Sequence, residues 1–174
     1  QRFEILNVVV RDVLGEAFHK AHIDNAVAAT KNLGAKAVDL LCRDDAVARE
    51  LCGVLYHDYH TFTHSANVAY YCVMLARQLG ISDKDELSRI ATGALLHDLG
   101  KLKIDDRILT KPGKLNDAEF EIMKAHPANG FRLLCEREDL CNGQLMMVYQ
   151  HHERMDGGGY PVRCDGSEIH AWAR

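Results

Sequence analysis

Along most of the chain apolar residues return every three or four positions instead of alternating, and only three of the 174 residues are proline. That spacing belongs to the α-helix, so the sequence predicts an all-α protein with almost no sheet. Ile5 to Phe18 and Ile23 to Cys42 read as two helices, with Gly34 either a weak point in the second or a mild bend. Ala46 to Tyr56 form a shorter helix, and Thr63 to Leu79 a strongly apolar one that Gly80 closes as a C-terminal cap.

Ser82-Asp83-Lys84-Asp85 has the form of a capping box, after which Leu87, Ile90, Ala91, Ala94 and Leu95 make one buried stripe. His97 and Asp98 then fall at the last turn. Asn116-Asp117-Ala118-Glu119 repeats the start signal for a helix reaching His126, where Pro127 forces a kink or a break. Ala128 to Arg137 continue helically, and Gly143 to His152 form a helix that ends in a histidine pair. Ile108 to Lys114 read as a loop turning on Pro112-Gly113. The pairs Leu133-Leu134 and Met146-Met147 belong to the core.

Composition narrows the picture. With 47% hydrophobic and 26% charged residues the chain can bury a real core. A net charge of −4 argues against a binder of DNA or RNA polymer, which needs a basic face. The six cysteines form no CxxC pair and most lie in apolar helical stretches, so they read as buried free thiols in a reducing cytoplasm. No segment approaches the ~20 apolar residues that span a bilayer, and no signal peptide is visible.

The chemistry concentrates in His97-Asp98-Leu99-Gly100-Lys101, in His126, in His151-His152-Glu153 and in Asp156-Gly157-Gly158-Gly159-Tyr160-Pro161. Each histidine cluster falls where a helix should end, so separate segments can converge on one site. Imidazoles and carboxylates without thiolates favour iron or manganese over a structural zinc. Adjacent side chains on a helix diverge by ~100°, so His97 and Asp98 can face one centre only near a helix end, and Gly100 offers the freedom to do so. Two ions ~3.5 to 4 Å apart can clamp both oxygens of a displacement at phosphorus and acidify a bound water. A carboxylate can bridge them.

These motifs, in this order, resemble the HD-GYP domain of the HD phosphohydrolase superfamily from about Asp58 to Arg174. The resemblance implies an HD-domain helical bundle with a metal site in its core, residues 1–55 supplying helices that pack on a catalytic core of residues 56–174. It implies metal ligands at His64, His97, Asp98, His126, His151 and His152, catalytic roles for Asp98 and Lys101, and a substrate site of Lys101, Gly159, Tyr160 and Pro161. The metal complement would be two divalent ions, iron or manganese. His60 stands four residues before His64, on the same helical face. Family members carry there a glutamate that recruits a third ion, or a tyrosine, so His60 is either a ligand of a third ion or a helix cap. Glu153 is expected to orient a histidine rather than bind metal. The glycines before Tyr160 would let backbone amides approach a ligand, and Tyr160 offers a ring for a base.

The implied activity is hydrolysis of cyclic di-GMP to pGpG or GMP by a metal-activated hydroxide. Two rivals stand beside it, an HD phosphohydrolase acting on another nucleotide or phosphate ester, and a catalytically silent sensor or interaction module. In the family the stretch corresponding to Ile169 to Ala173 runs on into a helix with another metal-binding aspartate, whereas this sequence ends at Arg174. At the other end Gln1 enters an amphipathic pattern directly, leaving room for an upstream regulatory domain. Single histidines are more often ordinary side chains than ligands, and His19, His22, His57 and His170 are given no role. Asp44-Asp45 and Asp105-Asp106 read as solvated loop or cap residues, and Lys111 and Lys114 as loop lysines near enough to a turn to be weighed as phosphate contacts.

Overall fold

The helical periodicity is realised in the computed structural model, which describes residues 23–43 and 61–174 and places no strand among them. The helices expected over Ile5 to Phe18 and Ala46 to Tyr56 lie outside the described residues, as do His60 and Asp44-Asp45. The chain divides into two compact units, Gln1–Leu95 and Leu96–Arg174.

In the first unit, α1 (Ile23–Arg43), α2 (Thr61–Gln78) and nearly all of α3 (Lys84–Leu96) present stripes at helical spacing. Ala26, Val27, Leu33, Val38 and Leu41 are buried from α1, Ala69, Tyr70, Val73 and Ala76 from α2, and the expected stripe Leu87, Ile90, Ala91, Ala94 and Leu95 from α3. Gly34 neither breaks nor weakens α1. A Cβ there would stand 2.9 Å from Thr92 Oγ1 and 3.2 Å from the Ser88 carbonyl, so the missing side chain lets α1 lie close on α3. Gly80 closes α2 as expected, at φ +95°, with the Ile81 amide donating to the Ala76 carbonyl at 3.0 Å. The cap of α3 differs from the expected box: Asp83, one residue later than Ser82, accepts from the Asp85 amide at 3.1 Å.

The second unit begins at the end of α3 and continues through a 3₁₀ helix (Leu99–Lys103), α4 (Asp106–Leu109), α5 (Asp117–Met123), α6 (His126–Leu134) and α7 (Asn142–Gln150). Helical turns thus run further into the expected Ile108 to Lys114 loop than proline and glycine indicated, because Asp105 caps α4 by accepting from the Arg107 amide. The capping box Asn116/Glu119 starts α5 as expected. Pro127 breaks rather than kinks the chain: α5 stops at Met123 and α6 starts at His126, with Pro127 in its first turn, where a missing amide costs nothing. Leu134 and Met147 are fully buried; Leu133 and Met146 are only half-buried.

The 3₁₀ helix packs on α6 and α6 on α7. At the first contact a Cβ on Gly100 would stand 1.9 Å from the His126 carbonyl and 2.4 Å from the Gly130 amide. Gly100 does not have a positive φ among the glycines that do, Gly80, Gly113 and Gly157. Its expected role as a source of backbone freedom is therefore corrected to one of close approach. The residues after Pro161 are tied back to α7 by the buried Gln150, which donates to the Glu168 carbonyl at 3.2 Å and accepts from the His170 amide at 2.8 Å. The described cysteines are all free thiols, but only Cys164 is buried and Cys135 is exposed, against the expectation of a buried set.

Candidate metal centre and active site

Beyond the end of α3 the backbone at Asp98 reaches φ −95° and ψ 5°, between the helical and extended regions. Helical divergence no longer separates neighbouring side chains there, and His97 Nε2 lies 3.2 Å from Asp98 Oδ2. Both residues are nearly inaccessible, 6% and 4% exposed. His126, first residue of α6, brings Nε2 to 3.3 Å from Asp98 Oδ1, and His151, capping α7, brings its Nε2 to 3.8 Å from the same oxygen. Lys101, three residues on, donates from Nζ to Asp98 Oδ2 at 2.7 Å. His152 completes the group: a ligand atom of each of His126, His151 and His152 lies within 4.8 Å of the others.

The backbone fixes how these rings are protonated. His126 Nδ1 is 2.8 Å from the Met123 carbonyl and His151 Nδ1 is 3.0 Å from the Val148 carbonyl. A carbonyl only accepts, so each Nδ1 must carry the proton. The neutral rings then turn two Nε2 lone pairs on one another at 3.1 Å, with a carboxylate alongside. Such an arrangement repels unless a cation joins it. Imidazole nitrogens and a carboxylate, with the far ring nitrogens held by carbonyls, suit a divalent metal ion.

Burial pushes the Asp98 carboxyl up, but the hydrogen bond from His97 and the Lys101 ammonium at Oδ2 outweigh it and hold the group well below the usual carboxylate range. Burial drives His151 down to about 2, assisted by His97, His152 and His126. The same leading cause takes His152 down to about 4. At neutral pH both rings are uncharged, the form that ligates metal.

The segment after the histidine pair forms a cover. Asp156 is held by Arg154, which donates from Nε at 3.0 Å and from a terminal nitrogen at 2.6 Å, and accepts from the Gly158 amide at 2.9 Å. Gly159 is buried, and a Cβ there would meet the Glu153 Cα at 2.5 Å. This brings the Tyr160 ring onto His152, centroids 4.6 Å apart and planes 19° apart. The Tyr160-Pro161 bond is cis. Glu153 does not orient a histidine as expected: its Oε1 accepts from the Val162 amide at 2.6 Å and the Arg163 amide at 3.1 Å, fastening the far side of the cover.

Of the residues singled out in the sequence, His97, Asp98, Lys101, His126, His151 and His152 thus converge in the second unit, with Gly159 and Tyr160 beside them and Pro161 half-buried. His64 belongs to the first turn of α2, in the first unit. Lys111 is paired with Glu119 at 2.6 Å, and Lys114 is exposed. Gly130, Gln150 and Phe120 were not singled out. Gly130 stands one helical turn beyond His126, the one signal by which a close helix contact could have been suspected.

An HD domain model matches residues 54–174. The chain belongs to the HD domain family. Over 117 residues this HD domain is 39% identical to the cyclic di-GMP phosphodiesterase PA4108 of Pseudomonas aeruginosa, covering 67% of the chain and 28% of that protein. It is 42% identical over 115 residues to the 3'3'-cGAMP-specific phosphodiesterase 3 of Vibrio cholerae, covering 66% of the chain and 25% of that protein. A cyclic di-GMP phosphodiesterase of Thermotoga maritima is 41% identical over 115 residues, with 31% of its length covered. The chain therefore spans about a third or less of these relatives. Among solved structures, the HDG"Y"P protein Bd1817 of Bdellovibrio bacteriovorus shares the fold, with a TM-score of 0.78, 19% identity, and coverage of 97% of this chain and 55% of that one.

Proposed function

We propose that this HD domain is a metal-dependent phosphodiesterase that hydrolyses cyclic di-GMP to pGpG or GMP. The observation that carries the metal dependence is the pair of Nε2 lone pairs facing each other at 3.1 Å beside a buried, ionised Asp98. The choice of cyclic dinucleotide is supported by the names of relatives about 40% identical over the same segment. His97, Asp98, His126, His151 and His152 would hold two divalent ions, iron or manganese. His64 joins them on the family resemblance, and His60, a histidine where the family has glutamate or tyrosine, is the candidate for a third ion on its i,i+4 spacing from His64. When bound, such ions supply Lewis-acid polarisation of a phosphoryl oxygen and acidification of water.

The chain's own residues do the rest. Asp98, with two oxygens facing different histidines, is the ligand able to bridge. Lys101 keeps a cation at the edge of the cluster, 28% exposed at its side chain, where it can turn toward a phosphate oxygen. Tyr160, stacked on His152, offers a flat surface beside the histidines, and Gly159 keeps the cover close over them. The free thiols suit a reducing cytoplasm, and no helix among the described residues is long and apolar enough to cross a membrane. A regulatory domain outside this segment is in keeping with the greater length of the relatives.

A second substrate reading, 3'3'-cGAMP, is favoured by the Vibrio relative. Both are tested together. The chain, purified anaerobically, stripped with chelator and reloaded with manganese or iron, is expected to turn over one of the two cyclic dinucleotides. Asp98→Asn should lower kcat at least about a hundredfold, losing a charge that no neighbour replaces. Full turnover by the chelated protein would exclude the metal mechanism, and bound metal without turnover of either cyclic dinucleotide would exclude the substrate class.

A further inference from the structure

Besides the rings of His152 and His126, Tyr160 has a further aromatic neighbour. The Phe120 ring, on α5, stands 6.4 Å from it with the planes at 82°. Phe120 is 47% exposed, and α5 contributes no buried residue, so the ring is not part of a core. A large apolar side chain left half in water is common when isolated. This one is not isolated: Phe120, Tyr160, His152 and His126 form an unbroken series of ring contacts from solvent to the metal-ligand histidines, the last step 5.0 Å and edge-on. The Lys124 ammonium lies over the Phe120 ring at 5.5 Å and is itself paired with Glu121, which holds the aromatic ring by a cation–π contact.

Two rings at nearly a right angle make a corner. A flat heterocycle laid on one wall meets the other edge-on, and both are favourable geometries for aromatic pairs. A base is joined to its own phosphate by a single sugar, and the ring contacts of Tyr160 with His152 and of His152 with His126 lead from that corner to the histidine beside Asp98. We infer that Phe120 is a specificity-determining residue that, with Tyr160, forms a stacking subsite for a purine base of the substrate. This inference rests on the phosphodiesterase reading for the identity of the substrate, but the subsite itself can be tested apart from turnover.

Phe120→Ala, Phe120→Leu and Phe120→Trp are compared with the unaltered chain, manganese-loaded, on cyclic di-GMP and on bis(p-nitrophenyl) phosphate, which has a phosphodiester but no purine. Stacking losses of this kind correspond to about tenfold in affinity. Phe120→Ala and Phe120→Leu are expected to raise KM for the cyclic dinucleotide about tenfold more than KM for the small ester, and Phe120→Trp to restore the ratio. Phe120→Leu keeps apolar bulk against Tyr160, so a ratio equal to that of the unaltered chain would reduce Phe120 to a prop and overturn the inference. Independently, the indole of Phe120→Trp should be quenched by GMP and not by ribose 5-phosphate, over the background of Trp172. Equal response to both compounds overturns the base subsite. If the unaltered chain cleaves the small ester but neither cyclic dinucleotide, the cyclic-dinucleotide reading fails, while selective quenching by GMP still upholds the purine site.

Discussion

Asp98 is buried among His97, His126, His151 and Lys101, and the Lys101 ammonium and the His97 ring keep it ionised although burial opposes this. A single residue here sets the sign of the whole centre, which is why a carboxamide at that position is expected to abolish activity rather than trim it. Glu153 works at the same scale but on the cover. Its Oε1 serves two amides, and its Oε2 is buried without a hydrogen-bond partner. Glu153→Gln keeps an acceptor for both amides; Glu153→Ala keeps none. Losing it should cost about 2 kcal/mol, with KM rising more than kcat falls as Tyr160 loosens. Urea unfolding and steady-state kinetics of the two variants check this, and equal behaviour of both would show that the loop is fastened elsewhere.

Helix ends, more than helix faces, build the site. His97 and Asp98 follow α3, His126 opens α6 and His151 closes α7, so the distance between the 3₁₀ helix and α6 decides whether the ligands meet. Gly100 and Gly130 set that distance. Gly100→Ala would drive a methyl into the His126 carbonyl and is expected to cost about 3 kcal/mol and to weaken manganese binding. Gly113→Ala is the contrasting case, at φ +96° with nothing within 4 Å of the added Cβ. It should cost only about 1 kcal/mol, from backbone strain, and leave the metal site alone. Thermal unfolding with and without manganese gives the order; Gly113→Ala as the worse of the two would refute the close-approach reading.

For the molecule taken whole, the histidine cluster makes stability depend on pH. His151 and His152 have folded values of about 2 and about 4, both below the ordinary imidazole value near 6.5. The unfolded chain therefore takes up protons first as pH falls, and unfolding is favoured. The metal-free protein should lose stability steadily from about pH 7 toward pH 4, the His151 contribution continuing to fall below that. Asp98 adds nothing to this slope, since its unfolded counterpart titrates only near the bottom of the range. A urea midpoint that is lower at pH 5.0 than at pH 7.5 is the expected result, and saturating manganese, by binding only the folded neutral rings, should raise both midpoints.

Period and punctuation in the sequence carried the all-α class, the α3 stripe, the Gly80 cap, the Asn116 capping box and the break at Pro127, because each rests on contacts between residues within about a turn of one another. The ordered histidine motifs carried the composition of the site for the same reason, since residue type alone decides which atoms can ligate. Where Gly34, Gly100 and Gly130 are needed was decided only in three dimensions: nothing in a glycine says whether it serves a dihedral angle or a close neighbour several helical turns away along the chain. The partner of Glu153 and the corner formed by Phe120 and Tyr160 are of this kind as well. They depend on which surfaces the packed helix ends bring together, a long-range outcome that local pattern does not encode.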